Sequence, residues 1–317
     1  MRFGKDSHGG DLCAKYDFSV NISPLGMSEK VREACLCALD RSDRYPDPHC
    51  TRLREALAEK EGVRAENVLA GNGAAELIYA YAAVHAGEGA AVLAPTFSEY
   101  GNAVAAYGGQ VRYLLGFHSV TESALRGVRT LFVCAPNNPD GYLFTRTEIF
   151  KLREMCQRTG VELFVDGCFF DFTQSPGYTL SELLEGGGVY VLQAFTKSYA
   201  LAGVRLGYLL GEAEKLAEIS KKMQPWNVSA VAQAAGIAAA KDSQYLIRLR
   251  ETVAKEREFL KSGLCAAGYQ PRPSSANFLL FEGEEDLAAR LRECGFAIRI
   301  CEDFVGLTAE NGKKFYR

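Results

Sequence analysis

The sequence lacks the features that place a protein in a membrane or on nucleic acid. No apolar run is long enough to cross a bilayer. The formal net charge is only -3, whereas nucleic-acid-binding domains are usually basic. The first residues do not read as a secretory signal. We therefore expect a cytoplasmic protein without a nucleic-acid or membrane partner.

Metal sites and disulfides also have little support. The chain has four histidines, and its ten cysteines are scattered without a Cys-x-x-Cys pair. Structural zinc sites usually space their ligands more closely than this. Several cysteines lie in apolar runs, where they behave as small buried hydrophobes. We expect reduced thiols in a reducing compartment and no bound metal.

What is present is an α/β pattern. The chain has 317 residues, of which 48% are hydrophobic and 24% charged, as in a soluble enzyme with one large and one smaller domain. Short apolar segments alternate with helical ones, which favours a mainly parallel sheet covered by helices. The predicted strands are 90–94, 110–115, 130–134, 161–166, 189–192 and 206–211. Polar residues follow several of them, at the edge where such sheets bind ligands.

The remaining segments divide the chain. Amphipathic helices are predicted at 28–40 and 51–61, the second stopped by Gly62. From about residue 212 the chain is mostly helical, and a long run at 244–264 looks like a connector. We expect an N-terminal arm and first helix of the small domain (1–40), a large domain (41–240) and a C-terminal small domain (241–317).

One lysine lies in a distinctive setting. Lys197 follows the predicted strand 189–192, and Arg205 comes eight residues later, just before a Leu-Gly pair. A lone lysine after a strand is more often a solvated surface residue. The functional alternative is a Schiff-base lysine, whose amine must lose its proton, as burial and nearby cations favour. Arg205 and Thr196 would then be donors for a phosphate.

The segment 193–207 resembles the lysine signature of fold-type I pyridoxal-phosphate (PLP) enzymes, in which Ser/Thr-Lys is followed by Gly-x-Arg-x-Gly. Nearly the whole chain is similar to the aspartate-aminotransferase superfamily, and within it to the histidinol-phosphate aminotransferase branch and the threonine-phosphate decarboxylases of cobalamin biosynthesis. The phrases that carry the resemblance are residues 7–10, 17–26, 44–47, 70–73, 95–100, 223–226 and 315–317.

The resemblance implies a PLP-dependent transferase fold of type I, with a mixed, mainly parallel seven-stranded sheet and a small α+β domain. It also implies roles for individual residues. Lys197 would hold the cofactor as a Schiff base and move protons, and Asp166 would pair with the pyridine nitrogen. The further cofactor contacts it implies are Asn72, Gly73, Ala74, Phe97, Asn138, Thr196, Arg205 and, from the neighbouring subunit, Tyr45.

The same resemblance implies substrate contacts and an assembly. Arg317 would bind the substrate carboxylate. Asn21 and His8 would contribute polar side chains from the N-terminal arm to the substrate site. The shared Tyr45 implies a homodimer. Because the family continues beyond this arginine, we expect a truncated small domain without its final strand and helix, and a terminal Arg317 could be disordered.

The sequence departs from the family at four places. Phe169 stands where a tyrosine often donates to the ring 3-oxygen, and Gly167-Cys168 replaces the usual Glu-Ala. Ala194 replaces a hydroxyl residue three positions before the lysine. Asp140 stands in the common Asn-Pro-Thr-Gly turn. We expect these changes to weaken some phosphate and ring contacts while leaving the main apparatus.

The reaction stays open at this level. The resemblance implies decarboxylation of a phosphorylated hydroxy-amino acid, L-threonine O-3-phosphate, to aminopropanol phosphate for cobamide assembly. The alternative is a class I/II aminotransferase similar to histidinol-phosphate aminotransferase. A third interpretation, a binding module on this fold, is disfavoured because Lys197 is retained and no helix-turn-helix is appended.

Overall fold

The computed structural model describes residues 9–11, 13–310 and 312–317. The helices are α1 Glu29–Leu39, α2 Thr51–Glu61, α3 Gly73–His85, α4 Glu99–Ala106, α5 Arg146–Thr159, α6 Phe195–Ser198, α7 Ala213–Ser220, α8 Ala230–Ala240, α9 Ser243–Ala266 and α10 Leu287–Glu293. The strands are β1 Tyr16–Asp17, β2 Val68–Gly71, β3 Ala90–Ala94, β4 Val111–Leu115, β5 Thr130–Cys134, β6 Glu162–Asp166, β7 Val189–Ala194, β8 Gly207–Leu210, β9 Phe281–Glu284, β10 Phe296–Ala297 and β11 Lys313–Tyr316. None of the helices within these residues is both long and apolar enough to span a bilayer.

Seven strands form the main sheet in the order β2-β8-β7-β6-β5-β3-β4. Strand β8 is antiparallel to both neighbours, and the other pairings are parallel. The predicted mixed, mainly parallel seven-stranded sheet is confirmed. The register aligns Cys134 with Asp166 and Asp166 with Leu192, so the ends of β5, β6 and β7 meet at one edge.

The central strands are apolar because both faces of the sheet are covered. Every residue of β3, β5, β6 and β7 is buried. Within β6, Leu163 and Val165 pack into one hydrophobic cluster, and Phe164 packs into the cluster on the opposite face. This alternation is the two-residue period of a strand, and near-continuous apolar runs are typical of a parallel core.

Capping residues mark the start or the end of three helices. The Ser28 hydroxyl accepts from the Val31 amide and caps α1. Thr145 and Glu148 form a capping box at the start of α5. Gly62 adopts the left-handed conformation that terminates α2. The predicted helices at 28–40 and 51–61 are confirmed.

Two small sheets involve the C-terminal segment, and one of them pairs it with the N-terminal arm. β9 pairs antiparallel with β11, and β10 pairs parallel with β1 of the arm. Immediately after β11, Arg317 exchanges two backbone hydrogen bonds of 3.0 Å with Arg299. Arg317 is therefore held in a strand-like pairing, which answers the question of order left open by the sequence. The three-part domain division and the truncation stay predictions.

Candidate active site

A cavity of about 380 Å³ lies where the carboxyl ends of β5, β6 and β7 meet. It is lined by Gly9, Ser19, Val20, Asn21, Ala74, Ala75, Phe97, Tyr100, Cys134, Asn138, Asp166, Cys168, Phe169, Thr196, Lys197, Ala202, Arg205, Arg299, Phe304 and Arg317. Most of the residues singled out in the sequence are in this set. The cavity thus brings together side chains from both halves of the chain, as an open α/β sheet does at its ligand edge.

Lys197 lies in α6, the short turn that follows β7. Its Nζ donates a hydrogen bond of 2.6 Å to the Val20 carbonyl of the arm, and its own carbonyl accepts from the Ser23 amide at 2.9 Å. Burial, followed by the positive charge of Arg317, lowers the pKa of Lys197 to about 8. Roughly a tenth of the amine is therefore neutral and nucleophilic at pH 7, and this fraction rises to about half at pH 8.

Asp166 is the last residue of β6, the strand next to β7, and lines the same cavity. The Tyr100 hydroxyl donates to Oδ2 at 2.6 Å, and the Cys168 amide donates to Oδ1 at 2.9 Å. Burial raises the pKa of this carboxyl, and the hydrogen bonds from Cys168 and Tyr100 oppose that rise. Within the described residues Asp166 makes no ion pair. A buried acid in this state suits a cationic N–H group on a ligand.

A cradle for an anion lies at the start of α3. Gly73 has a φ of +79°, and a Cβ added there would lie 2.5 Å from Nη2 of Arg205. A Cβ on Gly207 would lie 2.8 Å from the Ala74 amide nitrogen. These glycines let a guanidinium and a positive helix end approach closely, and Thr196 adds a hydroxyl to the same cavity. Asn72 precedes the helix but does not line the cavity. Its backbone amide donates to the Glu76 carboxylate at 2.7 Å.

The side chain of Arg317 also lines the cavity. Nη1 donates to Oδ1 of Asn138, and Nη2 donates to the Ser19 carbonyl at 3.3 Å. With the Asn21 amide turned so that its oxygen faces Arg317, that oxygen accepts from Nε at 2.9 Å. The guanidinium also lies 5.2 Å from the centroid of the Phe278 ring. Burial lowers the pKa of Arg317 to about 10, which leaves it charged at neutral pH.

Among the described residues, three predicted cofactor contacts do not line this cavity: Asn72, Gly73 and Tyr45. Tyr45 is 81% exposed and packs on Trp226 at a ring distance of 4.7 Å, away from the cavity of its own chain. His8 lies outside the described residues, whereas its neighbour Gly9 lines the cavity. Phe97 and Asn138 line the cavity, and their contacts to the cofactor stay predictions.

Sequence reasoning missed Tyr100, Cys168 and Arg299 as members of the site. Tyr100 lies in the segment 95–100, which is one of those that resemble the family, but the resemblance assigned no role to it. Arg299 is only 10% exposed and donates to both oxygens of Asp303, at 2.7 and 2.8 Å. It is the one charged residue in the apolar segment 296–300, which was the available signal.

Comparison with known proteins places this geometry in a family. The aminotransferase class I and II family model matches residues 14–305. Threonine-phosphate decarboxylase of Salmonella typhimurium is 33% identical over 95% of this chain and 85% of its own length. Histidinol-phosphate aminotransferase of Moorella thermoacetica is 31% identical over 84% of this chain and 72% of its own.

Solved structures share the fold. Histidinol-phosphate aminotransferase from Clostridium acetobutylicum superposes with a TM-score of 0.87 at 24% identity, covering 95% of this chain and 93% of that one. The enzyme from Sinorhizobium meliloti in complex with pyridoxal-5'-phosphate has a TM-score of 0.86 at 22% identity, covering 96% and 86%. This is the fold-type I architecture predicted from the sequence.

The residues in the cavity fit PLP. The buried amine of Lys197 suits its aldehyde, the buried acid Asp166 its ring nitrogen, and the cradle at Gly73 and Arg205 its phosphate. The cofactor of this protein is pyridoxal phosphate, as its relatives indicate. The chain belongs to the aminotransferase class I and II family of PLP-dependent enzymes.

Proposed function

We propose that this protein is a PLP-dependent decarboxylase that converts L-threonine O-3-phosphate to aminopropanol phosphate and CO2. The observation that carries the proposal is a pair of arginines. Arg317 and Arg299 line the Lys197 cavity, and their backbones exchange two hydrogen bonds of 3.0 Å. Such a pair matches a substrate with two anionic ends, here a carboxylate and a phosphate.

Arg317 is the group for the substrate carboxylate. Its charge lowers the pKa of Lys197, so the two side chains are electrostatically coupled across the cavity. A carboxylate held by Arg317 would therefore lie near the amine that exchanges protons with the α-carbon. Asn21 and Asn138 both contact this guanidinium and fix its orientation.

Arg299 is the group for the phosphate. Its interaction with Asp303 involves Nη2, which leaves the other guanidinium nitrogens for a phosphate oxygen. Phe304 packs near the same guanidinium, 5.7 Å from its ring centroid, and also lines the cavity. Histidinol phosphate carries no carboxylate and would leave Arg317 without an anionic partner.

When bound, PLP supplies an electron sink for the pair released as a bond to the substrate α-carbon breaks. Decarboxylation replaces the carboxylate by a proton, so the chain must deliver one proton to the α-carbon as CO2 leaves. Lys197, with a pKa of about 8, holds and releases a proton at neutral pH and lies in the cavity. Asp166, as a carboxylate, would keep the ring nitrogen protonated.

An aminotransferase is the second candidate, because several relatives carry that activity and are 30–33% identical. Glutamate, a common amino donor, also has two carboxylates that could engage Arg299 and Arg317. The two reactions differ in which bond at the α-carbon lies perpendicular to the ring. The products of the reaction therefore distinguish the two candidates.

The experiment follows CO2 and glutamate. Holoenzyme is incubated with L-threonine O-3-phosphate labelled at the carboxyl carbon, with and without 2-oxoglutarate. We expect labelled CO2 without any oxo acid and no glutamate. Glutamate formation that requires 2-oxoglutarate, with the label retained in the 2-oxo acid formed from the substrate, would favour the aminotransferase. Lys197→Ala is the negative control for both reactions.

We also propose a homodimer in which Tyr45 serves the neighbouring site. The exposed Tyr45–Trp226 pair supports this arrangement, since large aromatic side chains are enriched at interfaces. We further propose that the protein is cytoplasmic and contributes aminopropanol phosphate to cobamide assembly. Sedimentation of the purified holoenzyme at micromolar concentration tests the dimer.

A further inference from the structure

A second cavity of about 260 Å³ lies beside the active site, beyond the ends of β3 and β5. Cys134 lines both cavities, so they share part of one wall. The second cavity also includes Asn137, the residue before Asn138. The side-chain amide of Asn137 donates to the Pro95 carbonyl at 2.9 Å. The proposed reaction makes no use of this space.

The second cavity contains a carboxylate whose charge is poorly compensated. Asp140 lines it, and two hydrogen bonds reach a single oxygen, Oδ1, from the Asn137 amide at 2.8 Å and the Tyr142 backbone at 3.0 Å. In the part of the chain that the structure describes, Oδ2 accepts no hydrogen bond from another residue and Asp140 joins no ion pair. Burial raises the pKa of Asp140, and the hydrogen bonds from Tyr142 and Asn137, followed by the charge of Arg272, oppose the rise. A partly buried carboxylate in this position is stabilised by a cation.

The rest of the cavity wall is apolar and aromatic. Phe117, Tyr142 and Phe144 line it, with ring centroids 6.1 Å apart for Phe117 and Phe144 and 5.3 Å apart for Tyr142 and Phe144. Aromatic rings attract cations through their quadrupoles, and aromatic cages with a nearby acid are used to hold organic ammonium groups. An inorganic cation would instead need several oxygen ligands, which these rings do not provide.

We propose that the cavity formed by Asp140, Phe117, Tyr142 and Phe144 binds a small organic ammonium ion. The carboxylate supplies the counter-charge and the rings cover the alkyl groups of the ligand. Asp140 gives this cavity its negative charge, since no other residue that lines it is charged. The inference does not depend on which reaction the Lys197 site catalyses.

The test measures binding of tetramethylammonium to the holoenzyme by calorimetry at constant ionic strength. A quaternary ion is chosen because it cannot condense with the aldehyde of the cofactor. tert-Butanol is the neutral ligand of similar shape. Asp140→Asn removes the charge while keeping an oxygen that can accept from Asn137 and Tyr142, and Asp43→Asn removes an exposed charge as a control.

We expect tetramethylammonium to bind the parent protein and the Asp43→Asn control equally. Binding to Asp140→Asn should be weaker by at least roughly tenfold, and tert-butanol should bind at least roughly tenfold more weakly than the ion. If Asp140→Asn fails to fold, as judged by circular dichroism, Phe117→Leu takes its place and should also weaken binding. Undetectable binding, equal binding by tert-butanol, or binding unchanged by both cavity variants would overturn the proposal. Because the readout is binding, a protein without decarboxylase activity leaves the inference intact.

Discussion

The Tyr100 hydroxyl donates a 2.6 Å hydrogen bond to Oδ2 of Asp166, and both residues line the cavity of Lys197. Tyr100 is fully buried and its ring stacks on Phe132 at 5.5 Å, so its hydroxyl cannot easily turn elsewhere. The bond favours the ionised form of a carboxyl that burial would otherwise protonate. We infer that Tyr100 is a positioning residue acting through Asp166.

Removal of that hydroxyl should reduce the strength of the acid–pyridine pairing. For Tyr100→Phe we expect kcat to fall by roughly 10-fold, because loss of a hydrogen bond to a charged group costs about 1.5–3 kcal/mol, of which part is recovered by rearrangement. The acid limb of the kcat profile should also move to higher pH, since the pKa of Asp166 rises without its donor. Steady-state kinetics from pH 5 to 9 measure both effects.

Tyr190→Phe is the matched control for that prediction. Tyr190 is also buried, but its hydroxyl has no hydrogen-bond partner within the described structure. Its removal should leave kcat and the pH profile unchanged. An identical loss in both variants would mean that Tyr100 acts through packing alone.

The lowered pKa of Lys197 predicts how the apoenzyme takes up its cofactor. The neutral amine is the reactive form, so the rate of PLP incorporation should rise with pH through about 8 and then level off. Arg317→Gln removes a cation that lowers this pKa, so the midpoint should move to higher pH. Stopped-flow absorbance of apoenzyme mixed with PLP gives the profile.

The exposed Arg126→Gln substitution is the control for the pH experiment, since it removes a positive charge far from the cavity. Its midpoint should match that of the parent protein. A midpoint near 10.5, the ordinary value for lysine, in the parent protein would contradict the burial argument.

Gly73 offers a test of the anion cradle. Its replacement by alanine puts a Cβ 2.5 Å from Nη2 of Arg205, so the guanidinium must move and cofactor affinity should fall by roughly 10- to 100-fold, the loss expected for a hydrogen bond to a charged group. Gly108→Ala is closely matched, because Gly108 has the same φ of +79° but open space around it. Both variants should lose similar stability from backbone strain, of the order of 1–2 kcal/mol.

Only Gly73→Ala should lose cofactor affinity. Equilibrium titration with PLP, together with thermal unfolding of the apoenzymes, separates the two effects. Equal PLP affinity in the two variants would show that the close approach of Arg205 to α3 is not part of the cofactor site.

Arg299 should distinguish phosphorylated from unphosphorylated substrates. For Arg299→Gln we expect KM for L-threonine O-3-phosphate to rise by roughly 10- to 100-fold, through loss of a charge-assisted hydrogen bond. The much weaker activity with L-threonine should change little. Arg317→Gln, which removes the carboxylate partner, should reduce kcat/KM for both substrates, and this difference between the variants is the diagnostic result.

A shared site predicts complementation between inactive variants. Tyr45→Ala and Lys197→Ala should each be inactive or nearly so as homodimers. Hybrid dimers formed by mild unfolding and refolding should regain activity, because one of their two sites has both intact residues. Mixtures that stay inactive, although mass spectrometry shows hybrid dimers, would mean that Tyr45 does not serve the neighbouring site.

Much of the fold was readable from local signals. The apolar runs of β3, β5, β6 and β7 predicted buried parallel strands, and Ser28 and Gly62 predicted helix ends. The Lys197 segment, through its family resemblance, predicted the cofactor that the relatives support. These features depend on contiguous residues, so the sequence displays them directly.

Several contacts within the site join residues that are distant in sequence, so the sequence does not show them. Tyr100 meets Asp166 across 66 positions, and Arg317 meets Asn138 across 179. Arg299 lies beside Arg317, which follows β11, although the two are 18 positions apart. Such pairings follow from strand register and loop paths, which residue spacing alone does not specify.

We infer that Lys197 binds the cofactor as a Schiff base and that the ring nitrogen of the cofactor faces Asp166. Borohydride reduction of the holoenzyme, followed by proteolysis and mass spectrometry, tests it most directly. The account predicts one phosphopyridoxyl group per chain, on the peptide that contains Lys197, and none in Lys197→Ala. A label on another lysine, such as the buried Lys60, or equal labelling of Lys197→Ala, would contradict it.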